Sequence, residues 1–193
     1  MSSFDSFDGS SSLDSFSSSS LDSSSDSEFS DSESSQLTHD VFINFRRDDA
    51  SMAFVSQLDV ALSNAGVEPY VDCRLHKGTD LGSKLLEAIE ESRISIVVFS
   101  KNYTQSSRCL NQLQKIMECH TTHDQVVVPV FYDVDPAVVR HQSGDFGHVL
   151  RDTATKLYFR PGGEEKMEHV LLSWKTALTQ AANQSGWNAI YYR

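Results

Sequence analysis

Three segments of the sequence hold the charged and polar side chains from which a binding or catalytic site could be built. They are FRRDDAS (45–51), DCRLHKGTD (72–80) and SKNYTQSSRC (100–109). Each follows a run of residues that favours a β-strand. In a parallel sheet such loops meet beyond the carboxyl ends of the strands, where the binding crevice of an open α/β sheet lies. The sequence therefore predicts that any site is formed by these three loops.

Two familiar chemistries of α/β sheets are excluded by the residues in these loops. A phospho-acceptor domain needs a carboxylate at the end of its central strand, beside a bound Mg²⁺. The corresponding run ends Phe99, Ser100, Lys101, with no acid. A dinucleotide-binding fold needs a glycine-rich turn after its first strand, and FRRDDAS contains no glycine.

A zinc site is not indicated either. The candidate ligands are Cys109, Cys119, His120 and His123. Their spacing matches no compact four-ligand pattern, and the two cysteines fall on different turns of one helix. We interpret them as buried thiols and a polar helix end, and we expect no metal and no cofactor.

Alternating strands and helices position the three loops. The apolar runs HDVFINF (39–45), RISIVVFS (93–100) and QVVVPVFYDV (125–134) predict strands, and Pro69 places VEPYVD (67–72) at a sheet edge. The segments between and after them have helical spacing: Phe54 to Leu62, Leu81 to Ile89, Ser106 to Cys119, a broken stretch over 144–159, and Glu164 to Ala182. This alternation predicts a doubly wound α/β domain, with helices on both faces of a parallel sheet.

The acidic charge of the chain is concentrated at its amino terminus. The 193-residue sequence has a formal net charge of −11, and residues 1–36 contribute −8 of it with no Lys or Arg. About half of this segment is serine, so it cannot bury enough apolar surface to offset its ordering entropy. We expect a disordered tail, either merely solubilising or a target of phosphorylation. The remainder is nearly balanced in charge and shows no basic face for a nucleic acid.

The cysteines and the apolar runs indicate the compartment. Three cysteines, Cys73, Cys109 and Cys119, are too few for a disulfide framework and are interpreted as reduced thiols. No apolar run reaches the roughly 20 residues needed to cross a bilayer, and the amino terminus lacks the pattern of a secretory signal. The sequence therefore predicts a cytoplasmic or nuclear protein without a membrane partner.

Four long motifs together resemble a plant Toll/interleukin-1 receptor (TIR) domain. They are DVFINFRRDDA (40–50), LLEAIEESRISIVVFSKNYTQSSRCLNQL (85–113), VVVPVFYDVDPAVVRHQSGDFG (126–147) and WKTALTQAANQSGW (174–187). The resemblance implies a five-stranded flavodoxin-like domain over 37–188, between the tail of 1–36 and a short extension, 189–193. It also implies either a TIR-only protein or the amino-terminal part of an intracellular immune receptor.

The resemblance further implies an enzymatic activity that this chain departs from. Assembled TIR domains hydrolyse NAD⁺ at the nicotinamide–ribose bond, using a glutamate in the pattern W-C-L-D-E-L. The matching residues are Arg108, Cys109, Leu110, Asn111, Gln112 and Leu113. Gln112 thus replaces the catalytic acid, and an amide cannot offer a full negative charge to the cationic ribose carbon that forms as the bond breaks.

Other positions implied by the resemblance match only in part. Phe45 and Arg46 match the family's substrate wall, whereas Arg47 stands in place of a glycine and Arg108 in place of an aromatic residue that lines the nucleotide pocket. Asp72 and Ser106 complete the expected substrate-binding set. For self-association, Ser56 and Gln57 replace a Ser-His pair on one surface, and Gly186 belongs to the S-G-W ending of a second surface.

These observations leave three hypotheses. The first is an immune-signalling module that joins other TIR domains, with NAD⁺ hydrolysis lost or weak. The second is an active NAD⁺ glycohydrolase or ADP-ribosyl cyclase-type enzyme; hydrolysis that is only weak would be supported by Arg46, the loop acids and Asp72 in place of the missing acid. The third is an interaction protein driven by its tail, with the folded domain as an anchor.

Overall fold

The computed structural model describes residues 39–47, 49–71 and 81–189. The segments 1–38, 72–80 and 190–193 lie outside these ranges, as does residue 48. The predicted tail and Asp72 therefore lie outside the described residues. The predicted boundaries, 1–36, 37–188 and 189–193, stay predictions.

Five parallel strands form one sheet. They are β1 (His39–Phe45), β2 (Pro69–Val71), β3 (Ser92–Phe99), β4 (Val126–Phe131) and β5 (Trp187–Asn188), in the spatial order β2-β1-β3-β4-β5. The register pairs Ile43 of β1 with both Val71 and Ile96. This is the flavodoxin-like order. The chain adds β2 on one side of β1 and β3, β4 and β5 on the other, so the strand order reverses between β1 and β3. The predicted fold class and the edge position of β2 are confirmed.

Six helices and one short 3₁₀ turn accompany the strands in the part of the chain that the structure describes. The helices are α1 (Ser51–Asn64), α2 (Leu81–Glu90), α3 (Ser107–Thr122), α4 (Pro136–His141), α5 (Gly144–Tyr158) and α6 (Glu164–Ala182), and the 3₁₀ turn spans Tyr103–Gln105. Among the described residues, none of these helices has the length and apolar character needed to span a membrane.

Alternate residues of the strands feed two separate hydrophobic cores. On one face, Val41, Ile43 and Phe45 pack with Val55 of α1. On the other face, Phe42 joins a larger core that includes residues of α2, α3, α4, α5 and α6. The side-chain period of two therefore commits each strand residue to one face, and helices cover both faces as predicted. Asn44 lies two positions after Phe42 in β1 and therefore on the same face of the sheet. The Asn44 side chain thus points to the α3 side.

The carboxyl-terminal third differs in detail from the sequence-based expectation. The stretch expected to be broken, 144–159, is one continuous helix, α5, and the short α4 precedes it. Gly147 allows this, because a Cβ there would lie 1.9 Å from the backbone oxygen of Gln142. Strand β5 has only two residues, so it was too short to show a strand pattern of its own.

Gly186 fixes the approach to β5. A Cβ at this position would lie 2.2 Å from the backbone oxygen of Pro129 and 2.5 Å from its ring carbon Cγ. Backbone atoms cannot yield to such an overlap, so only glycine fits. The next residue, Trp187, pairs with Val130 of β4 and leaves 65% of its surface exposed.

We predict that Gly186→Ala destabilises the domain by about 1–3 kcal/mol, because the added methyl group overpacks the contact with Pro129. The measurement is the free energy of unfolding in urea. Ser185→Ala, at the exposed neighbouring position, is the matched control and should change stability by less than about 0.5 kcal/mol. Equal stability of Gly186→Ala and the parent would show that β5 does not hold this backbone in place.

Candidate functional site

A pocket opens beyond the carboxyl ends of β1 and β3, where the strand order reverses. It has a volume of about 370 Å³ and lies between the loop after β1 and the start of α3. Its described lining residues are Phe45, Arg46, Arg47, Gln105, Ser106, Ser107, Arg108 and Cys109. Two of the three loops predicted from the sequence therefore meet here, and the third, 72–80, lies outside the described residues.

The structure brings together four of the five predicted substrate-binding residues. Phe45, Arg46, Ser106 and Arg108 line the pocket, and Asp72 lies outside the described part of the chain. Of the lining residues that the structure describes, three are arginines and none is a carboxylate. The described part of the pocket wall therefore carries positively charged side chains.

Arg46 keeps a donor for the pocket. Its Nη1 donates a hydrogen bond of 3.0 Å to the backbone oxygen of Asn102, which precedes the 3₁₀ turn. Its Nε is buried and has no hydrogen-bond partner among the described residues. A buried donor without a partner is costly in a folded protein, so this N–H is available to an acceptor in the pocket.

The start of α3 adds to the positive character of the pocket. Ser106 caps the helix, since its hydroxyl oxygen accepts a hydrogen bond of 3.2 Å from the backbone N–H of Cys109. The Cys109 thiol donates in turn to the backbone oxygen of Phe45, 3.2 Å away, and so ties α3 to the end of β1. The positive end of the helix dipole therefore faces the pocket.

Gln112 lies beneath the pocket and is not among its described lining residues. Its side chain is only 4% exposed, and its Oε1 accepts a hydrogen bond of 2.6 Å from Nδ2 of Asn44. Asn44 is bonded in turn to Tyr103, since its Oδ1 accepts a hydrogen bond of 2.5 Å from the Tyr103 hydroxyl. The Gln112 Nε2 is left buried without a partner among the described residues. A chain of three neutral side chains thus occupies the floor of the site.

The pKa of Tyr103 reflects how dry this floor is. Burial raises the pKa well above its usual range, and the neighbouring Cys109 thiol raises it further. The Tyr103 hydroxyl also lies 3.2 Å from the backbone oxygen of Cys109. Tyr103 therefore stays protonated and acts as a donor, with no role as a base near neutral pH.

Two described carboxylates that could be considered in place of Gln112 are engaged elsewhere. Asp49, in the loop after β1, accepts a hydrogen bond from the hydroxyl of Ser100 at the end of β3. Glu118, six residues after Gln112, is exposed and lies 3.3 Å from Nζ of Lys115. Six residues correspond to about 240° round a helix, so Glu118 faces away from Gln112, and it is not among the described lining residues of the pocket.

The comparison with known proteins gives the family. A model of the TIR domain matches residues 38–191. This chain belongs to the TIR domain family. It is 43% identical over 153 residues to disease resistance protein RPV1 of Vitis rotundifolia and 42% identical over 154 residues to TMV resistance protein N of Nicotiana glutinosa. Each match covers 79% of this chain but only 10% and 13% of the relative, so the chain spans about a tenth of their length.

A solved structure supports the same assignment. The TIR domains in the structure of the activated Roq1 resistosome, which directly recognises the pathogen effector XopQ, are 40% identical to this chain. They superpose with a TM-score of 0.67 over 80% of this chain and 90% of theirs. The TIR resemblance predicted from the four motifs is confirmed.

The predicted self-association residues of this TIR domain lie on two separate surfaces. Ser56 and Gln57 are exposed on α1, and Val60, one turn later, is 58% exposed. The Ser56 hydroxyl donates to the backbone oxygen of Met52, 2.9 Å away. Gly186 lies on the other surface, beside the exposed Trp187. Nothing in the structure tests these roles, which stay predictions.

Sequence reasoning missed two residues of the TIR site, Asn44 and Tyr103. Asn44 is only 1% exposed and Tyr103 is fully buried. The available signal for Asn44 was an amide one residue before the end of an otherwise apolar strand, HDVFINF. Tyr103 gave no comparable signal, because a tyrosine in a polar loop is commonly exposed.

We predict that Tyr103→Phe destabilises the domain by about 1–3 kcal/mol at pH 7, because Asn44 Oδ1 loses its donor while it stays buried. Above about pH 10 the gap between parent and variant narrows. The raised pKa of Tyr103 means that the folded state keeps a proton that the unfolded state releases there, so the parent loses stability as the pH rises.

The measurement is the free energy of unfolding between about pH 7 and pH 11, which spans the ordinary pKa of tyrosine. Leu113→Ala, which removes buried volume without removing a titratable group, is the control and should follow the pH dependence of the parent. A gap between parent and Tyr103→Phe that stays constant over this range would contradict the prediction.

Proposed function

We propose that this chain is a TIR signalling module of plant disease-resistance signalling, which works by associating with other TIR domains and hydrolyses NAD⁺ weakly or not at all. The observation that carries the proposal is the neutral floor of the pocket, where Gln112 stands at the position of the family's catalytic glutamate. Membership of the TIR family and the similarity to RPV1 and protein N support the immune role. The signalling partners of those larger proteins are part of the proposal, since the chain spans only about a tenth of them.

The electrostatics of the pocket support weak catalysis. Breaking the nicotinamide–ribose bond leaves positive charge on the ribose carbon, which a nearby carboxylate stabilises. Here the described lining offers three guanidinium groups, and Gln112 offers only an amide dipole already bonded to Asn44. Loss of one positioned group of this kind costs on the order of 10²–10³ in rate, and nearby cations add to the barrier.

The hydrogen bonds around Gln112 make a sharp test possible. The Gln112 oxygen accepts from Asn44 Nδ2, whereas its nitrogen has no partner among the described residues. A glutamate at this position keeps the same acceptor and loses no hydrogen bond. Gln112→Glu is therefore close to isosteric and changes mainly the charge.

We predict that the purified full chain releases nicotinamide from NAD⁺ slowly or not at all, and that Gln112→Glu raises the rate at least about tenfold over the parent or over background, a fraction of what one positioned group supplies. The measurement is nicotinamide release at high protein concentration. Asn111→Asp is the matched control, because it adds the same charge one residue earlier, where the side chain accepts from Nε1 of Trp174 at 2.9 Å. It should leave the rate unchanged.

A second candidate function is an active NAD⁺ hydrolase. It is favoured by Phe45 and Arg46, which match the family's substrate wall, and it would require Asp49, in the loop after β1, to leave its hydrogen bond with Ser100. Rapid nicotinamide release by the parent that Asp49→Asn abolishes would establish this function and would refute the first proposal. An equal gain from Asn111→Asp and Gln112→Glu would show that position 112 has no special role.

The proposed association uses the exposed face of α1. We predict that Gln57→Arg weakens self-association of the full chain about fivefold or more in Kd, because a long cation then projects from the centre of that face. Sedimentation velocity over a range of concentrations measures it. Gln114→Arg, the same substitution on the exposed side of α3, is the control and should have no effect. A chain that stays monomeric at every concentration, or equal effects of both variants, would contradict self-association through α1.

A further inference from the structure

Arg46, Arg47 and Arg108 line the pocket and indicate an anionic ligand. We propose that the pocket binds, without cleaving it, a nucleotide that carries a pyrophosphate and no positive charge, in preference to NAD⁺. The proposal rests on the proposed function only in that NAD⁺ is not consumed. It is independent of whether the chain associates with other TIR domains.

The positions of the arginines carry the first step. Arg46 and Arg47 follow β1, and Arg108 lies in the first turn of α3, so cations from two elements face one cavity of about 370 Å³. None of the lining residues that the structure describes carries a carboxylate. A cavity of this size holds a pyrophosphate with part of a nucleoside.

The hydrogen-bond donors carry the second step. Each guanidinium has five N–H donors in a planar fork that matches the geometry of phosphate oxygens. The buried Nε of Arg46 has no partner among the described residues. The start of the 16-residue helix α3 adds a positive dipole end at the same wall. Guanidinium groups and a helix start are together the recurring means by which proteins hold phosphate groups.

The charge of the ligand carries the third step. NAD⁺ has a pyrophosphate and also a cationic nicotinamide ring, and this ring is repelled by the arginine-lined wall. Gln112, beneath the wall, supplies no negative charge to offset that repulsion. ADP-ribose has the same adenosine, pyrophosphate and second ribose as NAD⁺ but lacks the cation. The pocket therefore favours ADP-ribose and similar nucleoside diphosphates.

Two of these arginines belong to this chain rather than to the TIR pattern that it resembles. Arg47 stands where that pattern has a glycine, and Arg108 stands where it has an aromatic residue. The same chain lacks the acid at position 112. The three departures change the pocket in one direction, toward binding of anions.

The test is isothermal titration of the full chain with ADP-ribose, NAD⁺ and adenosine. We expect ADP-ribose to bind at least about tenfold more tightly than NAD⁺, pyrophosphate to compete with it, and adenosine not to bind. The double variant Arg47→Gln/Arg108→Gln should weaken ADP-ribose binding at least about tenfold. Arg93→Gln is the control, since Arg93 is exposed at the amino end of β3, the opposite end of the sheet. It should change binding less than about twofold, as a distant surface charge does.

Three results would each overturn the proposal: no binding of ADP-ribose by the parent, NAD⁺ binding as tightly as ADP-ribose, or an equal loss of binding in Arg93→Gln. The first two need no variant, so a folding defect in the double variant does not affect them. Nicotinamide is measured in the same NAD⁺ samples. Rapid nicotinamide release refutes the proposed function. The order of the ADP-ribose and NAD⁺ affinities decides the ligand class.

Discussion

The hydrogen bond between Asn44 and Gln112 joins strand β1 to helix α3 directly beneath the pocket. Both side chains are buried, so each needs a partner inside the protein. The bond exists because the side-chain period of two turns Asn44 toward the α3 side of the sheet, while helical geometry turns Gln112 back toward β1. The Tyr103 hydroxyl donates a hydrogen bond to the side-chain oxygen of Asn44 and so brings the turn after β3 into the same network. The floor of the site is therefore a structural joint between β1, α3 and the turn after β3.

The charge of the floor and the charge of the wall are set by different side chains, so each can change without the other. The side chains on the floor determine whether a negative charge is present below the pocket. The loop after β1 and the first turn of α3 determine the charge of the wall, which in this chain comes from Arg46, Arg47 and Arg108. Because the Gln112 oxygen accepts a hydrogen bond that a carboxylate could also accept, an exchange of glutamine and glutamate at this position costs little in stability. The charge at position 112 can thus change while the fold and the outer surfaces stay intact.

The fold was predictable from the sequence because its signals are local and repeated. Strand β3 is an almost unbroken apolar run, and Pro69 marks β2 as an edge strand, so the doubly wound class followed from pattern alone. Strand β5 was not predictable, since two residues held by the contact of Gly186 with Pro129 have no periodicity. In the site, the meeting of two of the three loops was predictable, but the Asn44–Tyr103 network was not, and the role of Gln112 stays a prediction. The network joins residues 59 positions apart, and such a pairing depends on the tertiary packing of β1 against the turn after β3.

A subunit with this pocket has a definite physical effect within an assembly of TIR domains. Helix α1 packs on the opposite face of the sheet from α3, so the neutral floor would not interfere with the proposed association through α1. Such a subunit would add binding surface to an assembly but contribute no cleavage at its own pocket. Whether it promotes or dampens signalling then depends on whether active neighbours need contacts from it or need its catalytic acid. Since α1 and the floor of the pocket lie on different faces of the sheet, the proposed function lets this chain supply contacts without cleavage.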